Sequence, residues 1–233
     1  MNNNDQKLWT FHQTDNVDNL LIGHPRQEML FKKISRLVER GGDVLEIGFG
    51  DGFLLEKLSD RYECSGADIS DENISQMKKK LPSVNFSLIG VDGRLPYEDG
   101  HFDAFVASEV LEHMSNDELV LCVSEIKRVL KSDGYAFITV PAKENLKDNE
   151  CFCPNCGEKF HKWGHKQVWN DLSIRSVFSD FEIRQLKEFF VPYQGNGFME
   201  RSVGYIMYAI RNILNLFMEI GGKSYFILLK NNK

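Results

Sequence analysis

A cluster of potential metal ligands occupies residues 151–165, CFCPNCGEKFHKWGH, where three cysteines and two histidines fall within fifteen positions. Cys153 and Cys156 have the C-x2-C spacing that lets two thiolates converge on one metal ion, and His161 and His165 follow with i, i+4 spacing. Four protein ligands leave no open coordination position, so the pattern predicts a structural zinc ion. The loop between the two pairs is too short for the hairpin and helix of a DNA-reading finger.

A glycine-rich turn, VLEIGFGDGF, brings Gly48, Gly50 and Gly52 directly after a predicted buried strand. Glycine permits a tight turn and lets a ligand approach the backbone closely. Phe53 stands where the dinucleotide fingerprint G-x-G-x-x-G requires its third glycine, and Glu46 would repel a pyrophosphate while tolerating an ammonium or sulfonium group. The turn therefore argues against NAD and for a ligand that carries positive charge.

Two further acids follow the next predicted strands. Asp68 ends the second strand, where a carboxylate can accept hydrogen bonds from both hydroxyls of a ribose. Asp92 follows the third strand, where it can accept a hydrogen bond from an adenine amino group, and Ile69 can pack on the adenine face. Singly, each acid would be an ordinary solvated residue at the edge of a sheet, but at this spacing the acids predict a nucleoside site beside the glycine turn.

The elements that must position these residues alternate between strand and helix. Short apolar or β-branched runs predict strands over 43–50, 62–70, 84–90, 102–108 and 135–140, with two terminal strands in FEIRQLKEFF and SYFILLK. Helical spacing predicts helices in HPRQEMLFKKISRLVER, FLLEKLSD, DENISQMKKK, the stretch from SNDE to Leu130, and NDLSIRSVF. Ser70 and the SNDE capping box at 115–118 mark two helix starts. Such alternation is typical of a parallel sheet with helices on both faces.

Taken together, the segments VLEIGFGDGFLLEKL, GADIS, GVDGRLPYEDGHFDAFVASEVLEHM and KRVLKSDGYAFITVP resemble a class I S-adenosylmethionine-dependent methyltransferase. The resemblance is to the broad group with LEH after the fourth strand, and it covers about residues 40–141. It implies an α/β fold: a doubly wound, Rossmann-like, seven-stranded and mostly parallel sheet. A zinc-knuckle loop and a helical insertion before the last strand are expected additions.

The resemblance implies S-adenosyl-L-methionine as the cofactor. In the family the glycine turn binds the methionine end, the acid after the second strand binds the ribose, and the acid after the third strand binds the adenine. The predicted cofactor-binding residues are Glu46, Gly48, Phe49, Gly50, Gly52, Asp68, Ile69, Asp92, Gly93 and Ser108.

His113, in EVLEHM after the fourth strand, is the predicted catalytic residue. At the carboxyl edge of the sheet it would act as general base on an acceptor hydroxyl, which must lose a proton during methyl transfer. The alternative is that His113 only hydrogen-bonds to loop backbone. Glu109 and Glu112 are weaker candidates for the base.

Residues 1–40 are predicted to form an N-terminal cover and first helix, ahead of a methyltransferase domain over 41–233. His12, His24 and Arg26 are the acceptor-side candidates in this cover. Arg26 could bind a phosphate or carboxylate of the acceptor, or it could pair locally within its own helix.

The zinc-type loop, 151–165, resembles a CPxCGxxFHxxGH run that follows the fifth strand in some methyltransferases of this group. A loop at that position borders the acceptor pocket of a doubly wound sheet. Three alternatives to the four-ligand structural zinc stay open. Cys151 replaces one histidine, a zinc ion with three firm ligands binds the acceptor, or the loop holds no metal.

A second predicted addition is the helical insertion, 191–223. Its segment 203–220 is apolar apart from a narrow polar stripe of Arg211, Asn212, Asn215 and Glu219. Such a helix can pack on the domain or on a second subunit, cover the acceptor pocket, or rest on a membrane surface.

Composition narrows the function classes. The net charge is −6, so the chain has no overall basic surplus for nucleic acid. Five cysteines, an odd number with three of them in one cluster, do not suggest a disulfide framework, and MNNNDQKLWT shows no apolar secretory segment, so a cytoplasmic location is predicted. The predicted function is O-methylation of a small-molecule or sugar-type metabolite. The alternatives are an RNA or protein methyltransferase and an inactive cofactor-binding partner subunit.

Overall fold

A computed structural model describes residues 24–190 and 223–233. Its strands are β1 Asp43–Ile47, β2 Glu63–Asp68, β3 Asn85–Leu88, β4 Phe102–Ser108, β5 Leu130–Pro141, β6 Glu150–Phe152, β7 Lys159–His161, β8 Glu182–Phe190 and β9 Lys223–Lys230. Its helices are α1 His24–Leu37, α2 Phe53–Leu58, α3 Asp71–Lys80, α4 Asn116–Val129 and α5 Asp171–Val177, with 3-10 turns at Leu111–His113 and Leu146–Asn149. The predicted His12, the segment 203–220 and most of the insertion 191–223 lie outside the described residues.

Seven strands form one sheet in the order β3-β2-β1-β4-β5-β9-β8. The strands from β3 to β5 are mutually parallel, whereas β9 runs antiparallel to both β5 and β8. The prediction of a seven-stranded, mostly parallel, Rossmann-like sheet is thus confirmed. Every parallel strand ends at the same edge, and the predicted cofactor residues follow those ends.

Alternation along the central strands creates two apolar cores. Leu45 and Ile47 of β1 are buried in one core, and Val44 is buried in the other. Helices α4 and α5 pack on the Leu45 side, while α1, α2 and α3 pack on the Val44 side. Helices therefore cover both faces, as predicted.

The two helix caps that the sequence predicts are present in the structure. The Ser70 hydroxyl accepts a hydrogen bond from the backbone N–H of Asn73 at 3.2 Å, which starts α3. Ser115 and Glu118 form the predicted capping box at the start of α4. These interactions span three residues, so the sequence around them is sufficient to form them.

The segment after β5 is more ordered than a loop. Residues 150–161 form an antiparallel hairpin in which Glu150 lies opposite His161 and Phe152 lies opposite Lys159. Gly157, with φ +74°, allows the turn that joins the two strands. The hairpin places Cys153 and Cys156 at its turn and His161 at its open end.

No helix within residues 24–190 and 223–233 is both long enough and apolar enough to cross a membrane. The cytoplasmic location stays a prediction.

Candidate active site

The glycine turn after β1 has a backbone that side chains would disturb. Gly48, Gly50 and Gly52 all have positive φ, at 61°, 53° and 76°. A Cβ on Gly48 would lie 2.6 Å from Val110 Cγ2, because the turn contacts the loop that follows β4. A Cβ on Gly52 would lie 3.0 Å from Met77 Sδ. The structure thus brings the glycine turn against the β4 loop.

Glu46 lies beneath this turn and is 1% exposed. Its Oε2 atom is buried and has no hydrogen-bond partner among the described residues. Burial, with a smaller contribution from Asp51, raises the pKa of Glu46 well above its usual range. A buried carboxyl group with an unused oxygen is suited to a ligand that brings a positive charge or a hydrogen-bond donor.

Asp68 is fixed to the glycine turn by a residue that the sequence did not single out. Its carboxylate accepts hydrogen bonds from Ser70 N at 2.9 Å and from Asn73 Nδ2 at 3.3 Å. The same Asn73 amide donates to the Gly50 carbonyl at 3.1 Å. Burial raises the pKa of Asp68 despite these hydrogen bonds. The turn and the ribose candidate therefore form one rigid unit.

Asp92 and Gly93 lie in the loop after β3. Asp92 is exposed, and its Oδ1 accepts a hydrogen bond from Arg94 N at 3.2 Å. Gly93 has φ +71°, and a Cβ there would lie 2.8 Å from Leu121. This loop lies at the same sheet edge as Asp68, as the prediction of an adenine site requires.

Three other predicted cofactor residues have different surroundings. Phe49 is 1% exposed and packs edge-to-face on Phe86, so its side chain belongs to the core and only its backbone faces the turn. Ser108 is half-buried, and its hydroxyl lies 3.2 Å from that of Thr139. Ile69 is partly exposed beside Asp68.

Helix α1 contacts both the glycine turn and the loop after β4. His24 Nε2 lies 2.7 Å from Asp51 Oδ2 in the glycine turn, and the His24 ring stacks on Phe53 at 3.9 Å. Arg26 forms an ion pair with Glu109, after β4, at 3.4 Å. Both acceptor-side candidates in the described residues thus contact the edge of the predicted pocket, and Arg26 already has a carboxylate partner.

The loop after β4 is strained at Glu109 and holds one buried acid, Glu112. Glu109 has φ +57°, a left-handed conformation that is costly for a residue other than glycine. Glu112 is 1% exposed, and neither carboxylate oxygen has a hydrogen-bond partner among the described residues. Burial and the nearby charge of Glu109 raise the pKa of Glu112 well above its usual range.

His113 follows Glu112 and is nearly buried. Its Nε2 lies 3.8 Å from Glu112 Oε1, and its ring centroid lies 4.8 Å from that of His165. Burial and His165 lower the pKa of His113 to about 3. A general base works best with a pKa near the working pH, so this environment disfavours proton abstraction by His113. The general-base role stays a prediction.

The predicted zinc ligands are divided by the hairpin. At its turn, hydrogen bonds from the backbone N–H groups of Cys156 and Asn155 lower the pKa of the Cys153 thiol. At its open end, His161 and His165 stack with ring centroids 4.6 Å apart.

Two groups of three metal-binding side chains occur in the described part of the chain, and neither includes a cysteine. They are Glu112, His113 and His165, and Glu144, His161 and His165. The four-ligand set of Cys153, Cys156, His161 and His165 is therefore not confirmed. Nothing in the local sequence marks Glu144, which reaches this group through the tertiary fold.

Comparison with known proteins agrees with this geometry. Residues 45–138 match the family described as "Methyltransferase domain". Residues 45–138 thus form a domain of the methyltransferase type. The matched range of that methyltransferase domain runs from β1 to β5 and includes the glycine turn, Asp68, Asp92 and the β4 loop.

Three curated relatives illustrate the range of the similarity. An uncharacterized protein of Methanocaldococcus jannaschii is 30% identical over 69% of this chain and 64% of its own length. The phosphatidylethanolamine N-methyltransferase of Cereibacter sphaeroides is 34% identical over 42% of this chain and 50% of its own. The ubiquinone biosynthesis O-methyltransferase of Dechloromonas aromatica is 30% identical over 42% of this chain and 44% of its own. The chain thus spans less than two thirds of each of these relatives.

Among solved structures, the YcgJ protein of Bacillus subtilis shares the fold. The TM-score is 0.63 at 19% identity, over 90% of this chain and 99% of that one. At this identity the similarity is one of fold, and it extends beyond the range that matches the family.

Proposed function

We propose that this protein transfers the methyl group of S-adenosylmethionine to a hydroxyl oxygen of a small-molecule or sugar-type acceptor. The observation that carries the proposal is the unit formed by Gly50, Asn73 and Asp68, which joins the glycine turn to the ribose candidate. The similarity to an O-methyltransferase of ubiquinone biosynthesis supports a small-molecule acceptor.

The residues present fit the cofactor. The unpartnered Glu46 oxygen suits its cationic methionine end, Asp68 suits the ribose hydroxyls, and Asp92 suits the adenine amino group. When bound, S-adenosylmethionine supplies an electrophilic methyl group on a sulfonium, whose departure leaves a neutral thioether. The main task of the chain is then to align the acceptor oxygen and to exclude water.

The acceptor side is supported by the loop after β7. The backbone N–H groups of Lys166 and Gln167 donate to the Glu112 carbonyl at 2.7 Å and 3.0 Å. Gln167 Nε2 also donates to the Met114 carbonyl at 2.8 Å. These contacts fasten the loop against the β4 turn beside the glycine turn. We place the acceptor between this loop and α1.

Isothermal titration calorimetry tests the cofactor site. Asp68→Asn keeps the shape of the side chain but removes its charge, and we expect the affinity for S-adenosylmethionine to fall by about 1.5–3 kcal/mol, the range for hydrogen bonds to a charged group. Asp71→Asn, in the exposed first turn of α3, is the matched control and should bind normally. Equal affinity in all three proteins would remove Asp68 from the site.

Turnover with radiolabelled S-adenosylmethionine tests the acceptor class. We expect label to enter phenolic or sugar hydroxyls in a panel that also contains amines, RNA and protein. Transfer to amines alone would favour nitrogen, in line with the similarity to a phosphatidylethanolamine N-methyltransferase. Cofactor binding without transfer to any member would support the inactive partner subunit.

A further inference from the structure

We propose that Glu112, His113 and His165 bind one divalent transition-metal ion, with Glu144 as a positioning residue for His165. We further propose, on the basis of the function proposed above, that this ion takes an acceptor oxygen as its open ligand. The metal site itself is independent of that function.

Proximity is the first support. One ligand atom from each of Glu112, His113 and His165 lies within 4.8 Å of the other two. The residues come from distant parts of the sequence: two from the 3-10 turn after β4, and one from the loop after β7. The fold must bring that loop against the turn to assemble the group, and the hydrogen bonds to the Glu112 carbonyl do so.

The Glu112 carboxyl group is the second and independent support. It is 1% exposed, and both of its oxygens lack a hydrogen-bond partner among the described residues. A buried carboxylate without partners is costly, and buried charges in native proteins are paired or coordinate metals. The His113 Nε2 atom lies 3.8 Å from Glu112 Oε1, beyond hydrogen-bond distance.

The surrounding contacts are those that orient histidine ligands. His165 Nδ1 lies 2.5 Å from Glu144 Oε2. Because a carboxylate can only accept, Nδ1 carries the proton and the lone pair lies on Nε2. A carboxylate that holds the other nitrogen of a ligating histidine is the usual outer partner in metal sites. His113 has an equivalent contact, a hydrogen bond to the backbone of Gly164.

We do not assign His161 as a ligand of this site, although its spacing in the sequence predicts a metal ligand. Its Nδ1 accepts hydrogen bonds from the backbone N–H of His165 at 3.0 Å and of Trp163 at 3.4 Å. The proton of the neutral ring is therefore on Nε2, which lies 3.4 Å from Glu144 Oε1. The Nδ1 lone pair is therefore not available to a metal ion, and His161 is not a member of the group of Glu112, His113 and His165.

Two imidazoles and one carboxylate suit a first-row ion such as Zn²⁺ rather than Mg²⁺ or Ca²⁺, which prefer oxygen ligands. Three protein ligands leave a coordination position open, as in catalytic zinc sites. The β4 loop, which carries Glu112 and His113, also contacts the glycine turn through Val110 and Gly48, so we assign the open position to the acceptor side of that turn. There the ion would lower the pKa of a coordinated acceptor hydroxyl. That hydroxyl would release its proton to water, and the oxygen would form the new bond to the methyl carbon as the sulfur–carbon bond breaks.

Cobalt spectroscopy on the full chain tests the site without any methyl transfer. Protein stripped with a chelator is titrated with Co²⁺ and monitored by visible absorption. We expect one Co²⁺ per chain with d–d bands and without the intense near-ultraviolet band of sulfur coordination. A spectrum with that band, lost in Cys153→Ser, would assign the metal to the hairpin turn and overturn the proposal. Absence of Co²⁺ binding would also overturn it.

Substitutions distinguish the proposed metal ligands from residues that do not bind the ion directly. Glu112→Gln and His165→Ala should abolish the bands, and Glu144→Gln should weaken Co²⁺ binding by about 10–100-fold, as outer partners do. His101→Ala, at the opposite end of β4, is the matched histidine control and should bind normally. Glu112→Gln removes a buried charge without changing shape, so its melting temperature without metal should be at least that of the wild type. Normal Co²⁺ binding by folded Glu112→Gln would contradict the assignment.

A final comparison tests the acceptor role. With S-adenosylmethionine and a hydroxyl acceptor, we expect turnover to fall at least tenfold in the stripped protein and to return with Zn²⁺. Full activity of the stripped protein that still binds Co²⁺ would overturn the acceptor role. If no acceptor is methylated although Co²⁺ binds, the proposed function fails and the metal site stands.

Discussion

At the scale of single residues, Gly48 shows why the cofactor turn is rich in glycine. Its φ of 61° is unfavourable for other residues, and its Cα faces Val110 of the β4 loop. Gly100 has a similar φ of 65°, but a Cβ there would meet no atom within 4 Å. A comparison of alanine at Gly48 and at Gly100 therefore separates the cost of the left-handed backbone conformation from the cost of a steric clash.

We therefore expect Gly100→Ala to lower the free energy of unfolding by about 1–2 kcal/mol, the cost of a left-handed conformation. Gly48→Ala should cost about 1–3 kcal/mol more, because overpacking adds to that strain. Urea denaturation measures both values. Combining Gly48→Ala with Val110→Ala should recover part of the difference. Equal losses of unfolding free energy in Gly48→Ala and Gly100→Ala would show that the glycine turn accommodates the added Cβ without a steric penalty.

Some residues of the candidate site have a signal in the local sequence, and others do not. Gly48 and Asp68 were predictable because their types and spacing are fixed by one turn and one strand end. Asn73 was visible only as part of a helix start, although its side chain joins Gly50 to Asp68. Glu144 has no local signal, since its partners His161 and His165 reach it through the fold.

At the scale of elements, α4 is joined to the loop before β4 by a partly buried ion pair. Arg128 donates to Glu125 through Nε and Nη2, each at 2.7 Å, and to the carbonyls of Tyr97 and Leu95. Glu125 in turn accepts from the Leu95 N–H at 2.8 Å. The loop that carries the chain from the predicted adenine site to β4 is thus fixed to the helix.

Removing Arg128 would leave the Glu125 carboxylate buried without its partner. We expect Arg128→Ala to lower the free energy of unfolding by about 3 kcal/mol, the lower end of the range for buried pairs, because the Arg128 side chain is 19% exposed. Lys127→Ala is the neighbouring control, because its ion pair with Asp180 is exposed and should contribute less than about 1 kcal/mol. Similar losses of unfolding free energy in Arg128→Ala and Lys127→Ala would show that the Arg128 network stabilises the fold no more than an exposed ion pair does.

The same pair predicts a pH dependence. Hydrogen bonds from Arg128 lower the pKa of Glu125 below its usual value. The folded state therefore binds this proton less readily than the unfolded state, and the stabilisation is fully present above about pH 4.3, the unfolded value. It is lost as the pH falls through the lower folded pKa. The difference in unfolding free energy between wild type and Glu125→Gln should be constant near neutral pH and narrow in acid, and a constant difference would contradict it.

Elements with local signals were predictable, and those without were not. The starts of α3 and α4 follow from Ser70 and from the box of Ser115 and Glu118. The segment 151–165 is predicted as a zinc-type loop, because its cysteine and histidine spacing is that of a zinc site. The hairpin over 150–161, in which Glu150 lies opposite His161, has no such signal in the sequence.

At the scale of the whole molecule, the alternation of strands and helices was enough to predict the sheet. What it does not show is how the ends of the chain are held. The last strand, β9, lies between β5 and β8 and is followed by Asn231, which is fully buried. Its side-chain amide donates to the carbonyls of Lys127, Leu130 and Lys131 at the junction of α4 and β5.

Asn231 therefore joins the end of the chain to a junction about a hundred residues earlier. We expect Asn231→Ala to lower the free energy of unfolding by about 1–3 kcal/mol, because it leaves buried carbonyl groups without a donor. Asn232→Ala is the adjacent control, since Asn232 is exposed and makes one contact of 3.4 Å, with Glu182. Its effect should stay within about 0.5 kcal/mol. Urea denaturation should show a lower midpoint for Asn231→Ala at an unchanged slope, because the contact stabilises the same folded state without altering the surface exposed on unfolding. A midpoint equal to that of Asn232→Ala would mean that the strands, and not this side chain, hold the end of the chain in place.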